Sequence, residues 1–194
     1  MCPRFTNFSF LIFFASMPVL ANTGDEFDLP NIFGDSMVLQ AEKPVSVWGW
    51  AKNGTAIEVR FGEVAVQTKA DESGKWIAVL PKLAKSFQPR ALTVDNGIQR
   101  IEFTDVLVGE VWLCGGQSNM AWTLKGSRDG DIEIASANAS HIRFNRVPLI
   151  ARNNPQSDFP VASPDAKEGN WRKATSDQVD NCTAVGYYFA QRIS

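Results

Sequence analysis

The residues best suited to chemistry lie in one short string, Gly115-Gly116-Gln117-Ser118-Asn119-Met120. A serine hydroxyl becomes a nucleophile when a neighbouring base takes its proton, and it then carries a covalent acyl intermediate. Glycines just before it allow a tight turn and let a substrate come close to the backbone. N–H groups at the start of a following helix would face the negative charge of a tetrahedral adduct and form part of an oxyanion hole. The arrangement parallels the nucleophile elbow, but Met120 stands where G-x-S-x-G requires its last glycine, so that motif is not matched. The plainer reading is a strand-to-helix turn capped by Ser118, and from the residues alone it is the commoner case.

Few other residues compete for a chemical role. His141 is the only histidine, so any histidine chemistry uses it or comes from outside the chain. It opens the strand-like run Ser140-His-Ile-Arg-Phe144 after a polar loop, and it is not expected to reach Ser118 as a base. Arg143 and Arg146 could meet the carboxylate of an acidic ligand, although solvated surface arginines are commoner. No C-x-x-C pair and no histidine cluster is present, so structural zinc is unsupported.

The elements that must position these residues fall into two groups. From Leu29 to about Asp105 the pattern is all-β. Pro44–Trp50 and Ile57–Phe61 alternate apolar and polar residues, Val64–Thr68 follows Gly62-Glu63 as the second arm of a hairpin, and Lys75–Leu80 follows a turn at Asp71–Gly74. Ala91–Val94 and Ile98–Phe103 flank Asp95-Asn96-Gly97, a strong hairpin signal. Together these predict a β-sandwich-like module over residues 22–105.

Beyond it, Val111–Cys114 is a continuous apolar run, which predicts a strand covered on both faces, as in a parallel α/β sheet. Ile142–Val147 alternates like another strand, and the segment from Pro148 to Gly169 is proline-rich and polar, which predicts a long surface excursion. Val179, Cys182, Gly186, Phe189 and Ile193 recur every three or four residues, as one face of a helix does. A parallel sheet sandwiched by helices takes more chain than residues 106–194 supply, so these are expected to be the front of a truncated domain.

Composition limits the partners. With 19 basic against 21 acidic residues, formal net charge is -2, which disfavours a nucleic-acid partner. Hydrophobic residues at 44% and charged residues at 21% describe a globular chain, not a disordered tail. Residues 1–21 read as a signal peptide: Arg4, an apolar run from Phe8 to Ala15 broken only by Ser9, then Pro18 and Val19-Leu20-Ala21. That run is shorter than the roughly 20 residues that cross a bilayer. Export to a secreted or periplasmic location is therefore expected, with no membrane span after cleavage. Loss of Cys2 with the signal would leave Cys114 and Cys182, read as two inert buried thiols in preference to a disulfide.

The longer string Glu110-Val-Trp-Leu-Cys-Gly-Gly-Gln-Ser-Asn-Met-Ala-Trp122 resembles the signature of the sialate O-acetylesterase family, a branch of the SGNH/GDSL hydrolases. Met37–Gln40 with Lys43–Gly49, Gly74-Lys75-Trp76, Asp105–Trp112 and Val185–Ala190 resemble further parts of it in order. The family usually has Ser where this chain has Gly115. The resemblance implies an SGNH-type three-layer α/β domain after the β-module. It also implies hydrolysis of acetyl esters on sialic acid or other acetylated sugars, without metal or cofactor. Ser118 would be the nucleophile and its own N–H an oxyanion donor, while Gly116, Gln117 and Asn119 would line the substrate pocket. The family's Asp-x-x-His pair lies later than this chain reaches, which implies that the chain alone is inactive.

The string Gly34-Asp35-Ser36-Met37 mimics the superfamily's Gly-Asp-Ser-Leu, but it precedes a β-module and no apolar strand leads into it, so it reads as a turn. A different class remains open: a non-catalytic β-module binding carbohydrate or a partner, with Trp48, Trp50 and Trp76 offering flat rings and the Ser118 segment a relic.

Overall fold

The structure is a computed structural model that describes residues 27–163 and 165–194. The signal-peptide expectation for residues 1–21 falls outside the described residues. Seven strands come first: β1 (Val38–Gln40), β2 (Val45–Trp50), β3 (Ala56–Phe61), β4 (Val64–Lys69), β5 (Lys75–Leu80), β6 (Ser86–Asp95) and β7 (Arg100–Gly109). One sheet has the order β1-β7-β6-β3-β4, and β2 pairs with β5 in a second. The alternation in β2 is what segregates its faces: Val45, Val47 and Gly49 turn inward while Ser46 and Trp48 turn outward.

Both sheets feed one core, in which Val47, Leu80, Val59, Phe61, Leu92, Val94 and Val106 are fully buried. Each such side chain contributes about 1.5–3 kcal/mol by leaving water. Gly49 sits between two tryptophans for a steric reason. A Cβ there would lie 2.2 Å from the Asp28 carbonyl oxygen and 2.8 Å from the Trp76 ring.

The β6–β7 hairpin turns where Asp95-Asn96-Gly97 predicts it. Gly97 has φ 81°, its N–H donates to Asp95 Oδ1 at 2.7 Å, and the N–H of Gln99 donates to Asn96 Oδ1 at 2.7 Å. Side-chain oxygens of Asp and Asn replace the ladder bonds that a turn forgoes.

The second half is built from short pieces. These are α1 (Ser118–Ala121), α2 (Gly130–Ser136), β8 (Asn138–Asn145), β9 (Trp171–Thr175) and α3 (Ala184–Ile193). They share a second, smaller core of Leu124, Ala137, Ala174, Val179, Cys182, Ala184 and Tyr187. β8 and β9 pair antiparallel, and the one parallel pairing among the described residues is β1 with β7.

Two expectations fail here. Val111–Cys114 is not a buried strand: the chain leaves the sheet after Gly109, and Val111, Trp112 and Leu113 are 43%, 60% and 98% exposed. No strand among the described residues lies beside this run to pair with it; the Val111 N–H donates to Gln40 Oε1 at 3.1 Å, and the apolar side chains are left largely exposed. Trp112 finds one neighbour, the ring of Phe189, edge-on at 5.2 Å. The buried face of the last helix also differs from the expected one. Ala184 and Tyr187 turn into the core, whereas Phe189 and Ile193 are 40% and 48% exposed. Val179 and Cys182 are buried as expected but lie before the helix begins.

A charge cluster ties the two halves together. Asp105, at the bend of β7, takes the left-handed φ of 55°. Its carboxylate accepts from Ser36 Oγ at 2.7 Å, from Arg143 Nη2 at 3.1 Å and from Lys173 Nζ at 2.9 Å. Arg143 comes from β8 and Lys173 from β9, so three distant segments meet on one carboxylate. The Arg143 side chain is 3% exposed, and its Nε and Nη1 have no other partner among the described residues. It is thus neither a solvated arginine nor a group free to meet an acidic sugar. Arg146 is also engaged, with Asn181 Oδ1 and with Glu168 at 3.3 Å.

Burial alone would raise the Asp105 carboxyl. The hydrogen bonds from Lys173 and Ser36 and the charges of Arg143 and Lys173 outweigh that and hold it below the ordinary carboxylate range. Next to it, Asp35 Oδ1 accepts from the N–H and hydroxyl of Thr104 at 2.6 and 2.9 Å. Gly34-Asp35-Ser36-Met37 therefore forms a turn stapled to β7, with both polar side chains occupied in holding it.

Candidate active-site segment

Ser118 is the first residue of α1, a single helical turn. Gln117 occupies the cap position, with no side-chain cap bond, so Ser118 does not cap the helix. Its hydroxyl makes no hydrogen bond among the described residues, and the residue is exposed. As the first helical residue, its N–H has no acceptor within the helix. A free hydroxyl and a free N–H thus stand on the same residue. The sequence-predicted neighbours Gly116, Gln117 and Asn119 are exposed beside it.

The two glycines differ in what they must do. A Cβ at Gly116 would come 3.0 Å from the Cβ of Met120, so a side chain there would press on the helical turn. A Cβ at Gly115 would meet nothing within 4 Å, so that position has room for another residue.

The segment is anchored from its far side. Thr183 Oγ1 donates to Met120 Sδ at 3.4 Å, the N–H of Ala184 to the Trp122 carbonyl at 2.9 Å, and the N–H of Leu124 to the Cys182 carbonyl at 2.8 Å. Thr123 and Thr183 form a short bridge, and Trp122 Nε1 closes its own turn on the Gly126 carbonyl at 2.7 Å. The start of α3 therefore fixes the end of the Ser118 turn. The periodicity of residues 179–193 announces the helix but says nothing of Thr183, whose contacts are long-range.

His141 lies elsewhere in its interactions. Its ring packs edge-on against Phe87 at 5.4 Å, and it makes no hydrogen bond to Ser118. Among the described residues no group accepts the Ser118 proton, and no group of three or more His, Cys, Asp or Glu side chains could hold a metal. A cleft of about 670 Å³ lies further along the same segment, lined by Thr123, Lys125, Lys167, Asp180 and Asn181 among others. Asp180 there is paired with Lys167 at 2.5 Å, whereas Lys125 has no partner among the described residues. Sequence reasoning did not single out Lys125, because one lysine in a polar stretch carries no pattern. Of the three candidate tryptophans, Trp76 is buried in the core, Trp50 is half-buried, and Trp48 is 40% exposed.

The two cysteines are both free and unlike each other. Cys182 is buried, which together with the neighbouring Cys114 thiol pushes its pKa up to about 12, while Cys114 is exposed and so departs from the expected buried thiol. In a Cys2→Ser chain at pH 8, a thiol reagent should titrate Cys114 promptly. Cys182 should react about 10³-fold more slowly than an ordinary thiol, since the thiolate is the reacting form. Two equally fast thiols in the folded chain would contradict this placement. Because the folded Cys182 pKa is raised, its contribution to stability is whole below about pH 9 and is lost as pH rises towards 12.

No family model matches the chain. Curated relatives do. It is 28% identical over 178 residues to the sialate O-acetylesterases of Homo sapiens and Pongo abelii, covering 86% of this chain and 32% of theirs. To the sialate O-acetylesterase of Mus musculus it is 29% identical over 153 residues, covering 73% of this chain and 28% of that one. Among solved structures, a carbohydrate acetylesterase from Xanthomonas citri matches with TM-score 0.79 and 37% identity, over 86% of this chain and 37% of the other. The chain thus spans about a third of the length of the curated relatives it matches. Over most of its length the chain is thus similar in sequence to sialate O-acetylesterases, and in sequence and fold to a carbohydrate acetylesterase.

Proposed function

We propose that the chain provides the front, nucleophile-bearing part of an exported carbohydrate O-acetylesterase, its second half being the start of an SGNH-type α/β domain. The observation that carries this reading is the free, exposed hydroxyl of Ser118 on a turn fixed from behind by Thr183. In the reaction, Ser118 Oγ attacks the acetyl carbonyl carbon while a base takes its proton. The ester C–O bond then breaks, the sugar oxygen leaves as an alcohol with that proton, and water releases acetate from the serine. Ser118 N–H is placed on the residue that would bear the tetrahedral adduct, and Gly116 keeps the approach clear. Gln117 and Asn119 flank the hydroxyl as substrate-lining groups.

The base is the missing component. Residues 1–194 contain no Asp-x-x-His pair, and a serine without a base is a weak nucleophile at neutral pH. Two polypeptides test the reading together. The 194-residue chain alone should hydrolyse p-nitrophenyl acetate no faster than its Ser118→Ala variant. A chimera in which residues 27–194 replace the matching part of the Xanthomonas citri enzyme should release acetate from an acetylated sugar. A folded chimera without that activity, or turnover by the 194-residue chain that Ser118→Ala abolishes, overturns the respective half of the proposal.

A further inference from the structure

We propose that the chain carries a second carbohydrate subsite, centred on Trp48, that holds a distal unit of an oligosaccharide. This deepens the acetylesterase reading by assigning it an oligosaccharide substrate, and it rests on that reading only for the class of ligand.

Trp48 faces outward from β2 because its neighbours Val47 and Gly49 take the inward positions. Phe33 packs edge-on against its ring at 4.9 Å and 72°, which fixes the indole in place while 40% of the residue stays exposed. Its Nε1 makes no hydrogen bond among the described residues, so a held and partly exposed ring carries an unused donor.

The proline-rich excursion makes this surface a groove. Asn31 donates from its backbone N–H and from Nδ2 to Asp158 Oδ2, at 2.9 and 2.8 Å, and from Nδ2 to the Phe159 carbonyl at 2.7 Å. These bonds draw residues 147–160 over the outer face of β2 and leave a groove of about 780 Å³ with Trp48 in its wall. Arg152, also in the wall, has no ion pair among the described residues. Pro148, Ile150 and Pro160 line both this groove and the cleft at Thr123 and Lys125, so the two adjoin across the excursion. The cleft begins five residues after Ser118 in the chain. A glycan with one unit on Trp48 can therefore continue along the 147–160 segment into the adjoining cleft.

The chemistry of the groove favours sugar over the alternatives. A pyranose with equatorial substituents presents a flat C–H face that matches a held indole, while its hydroxyls suit donors such as the indole N–H and the Arg152 guanidinium. Grooves for proline-rich peptides need aromatic ridges in series, whereas here the prolines belong to the wall and its aromatic residues are Trp48 and the half-buried Phe159.

Calorimetric titration of the 194-residue chain with cellotetraose and chitotetraose, against methyl glucoside, tests this directly. At least one tetrasaccharide should bind, and at least tenfold more tightly than the monosaccharide. Trp48→Ala should weaken that binding tenfold or more without lowering the melting temperature by more than a few degrees, and Trp48→Phe should retain part of it. Ser118→Ala should bind as the unaltered chain does, so failure here is separate from failure of the catalytic reading. Absence of tetrasaccharide binding, binding unchanged in Trp48→Ala, or binding of a proline-rich decapeptide in preference to the sugars overturns the subsite.

Discussion

Ser118→Ala in the chimera with the Xanthomonas citri enzyme should lower acetyl-ester turnover by about 10³-fold or more, with little change in the melting temperature. The size follows from the role: without the oxygen no acyl intermediate forms, and only binding and oxyanion stabilisation remain. The small effect on stability follows from the structure, because Ser118 is exposed and its hydroxyl bonds to nothing among the described residues. Gly116→Ala in the same background tests the approach. Its Cβ would meet that of Met120 at 3.0 Å, so the turn must shift, whereas Gly115→Ser meets nothing and should leave turnover within a few-fold. A Ser118→Ala chimera with full activity would place the nucleophile elsewhere.

Asp105→Asn should destabilise the chain by about 3 kcal/mol, equivalent to a fall in melting temperature of roughly 6–12 °C. Removing this carboxylate leaves the Arg143 guanidinium buried and uncompensated, and that penalty exceeds the worth of any surface pair. Asparagine is the informative replacement because it tolerates the left-handed φ of 55°, so the loss reports charge and not backbone strain. The sign of the pH dependence follows from the lowered Asp105 pKa. A depressed carboxylate stabilises the fold above its unfolded pKa, near 3.8, and that contribution is lost as pH falls through the lower folded value. The difference between the unaltered chain and Asp105→Asn should thus be full at pH 7 and shrink below about pH 4. A difference that grows on acidification would contradict the cluster.

What the sequence made legible was local. Alternation located β2 and β3 within a residue or so, because strands with one buried face must alternate, and the turn signals at Gly62-Glu63 and Asp71–Gly74 bounded β4 and β5. Asp95-Asn96-Gly97 located the β6–β7 turn, because its side chains and its left-handed glycine do the turning themselves. What depended on distant chain was hidden. The apolar run Val111–Cys114 has the composition of a buried strand, yet burial requires neighbours on both faces, and the contacts with Gln40, Phe189 and Cys182 do not cover it. β9, Trp171-Arg-Lys-Ala-Thr175, shows no alternation and gains its strand character from pairing with β8.

The charge cluster illustrates the same limit. Ser36, Asp105, Arg143 and Lys173 are ordinary polar residues in the sequence, spread over more than half of the chain. Only the folded arrangement shows that Asp105 satisfies three of them. For Trp48, the alternation of β2 already places the ring opposite Val47. The groove above it depends on Asn31 and Asp158, which are 127 residues apart. The Ser118 string is legible through its likeness to a family, whereas its immediate surroundings, Thr183 and the turn of Trp122, become visible only in three dimensions.

Everything proposed for catalysis turns on the Ser118 oxygen, which a covalent trap can label. The chimera should be incubated with an activated organophosphonate, digested and sequenced by mass spectrometry. One phosphonyl group is expected on the peptide containing Ser118, blocked by prior incubation with an acetylated sugar and absent from Ser118→Ala. An adduct on another residue, in a chimera whose esterase activity is lost at the same rate, would contradict it.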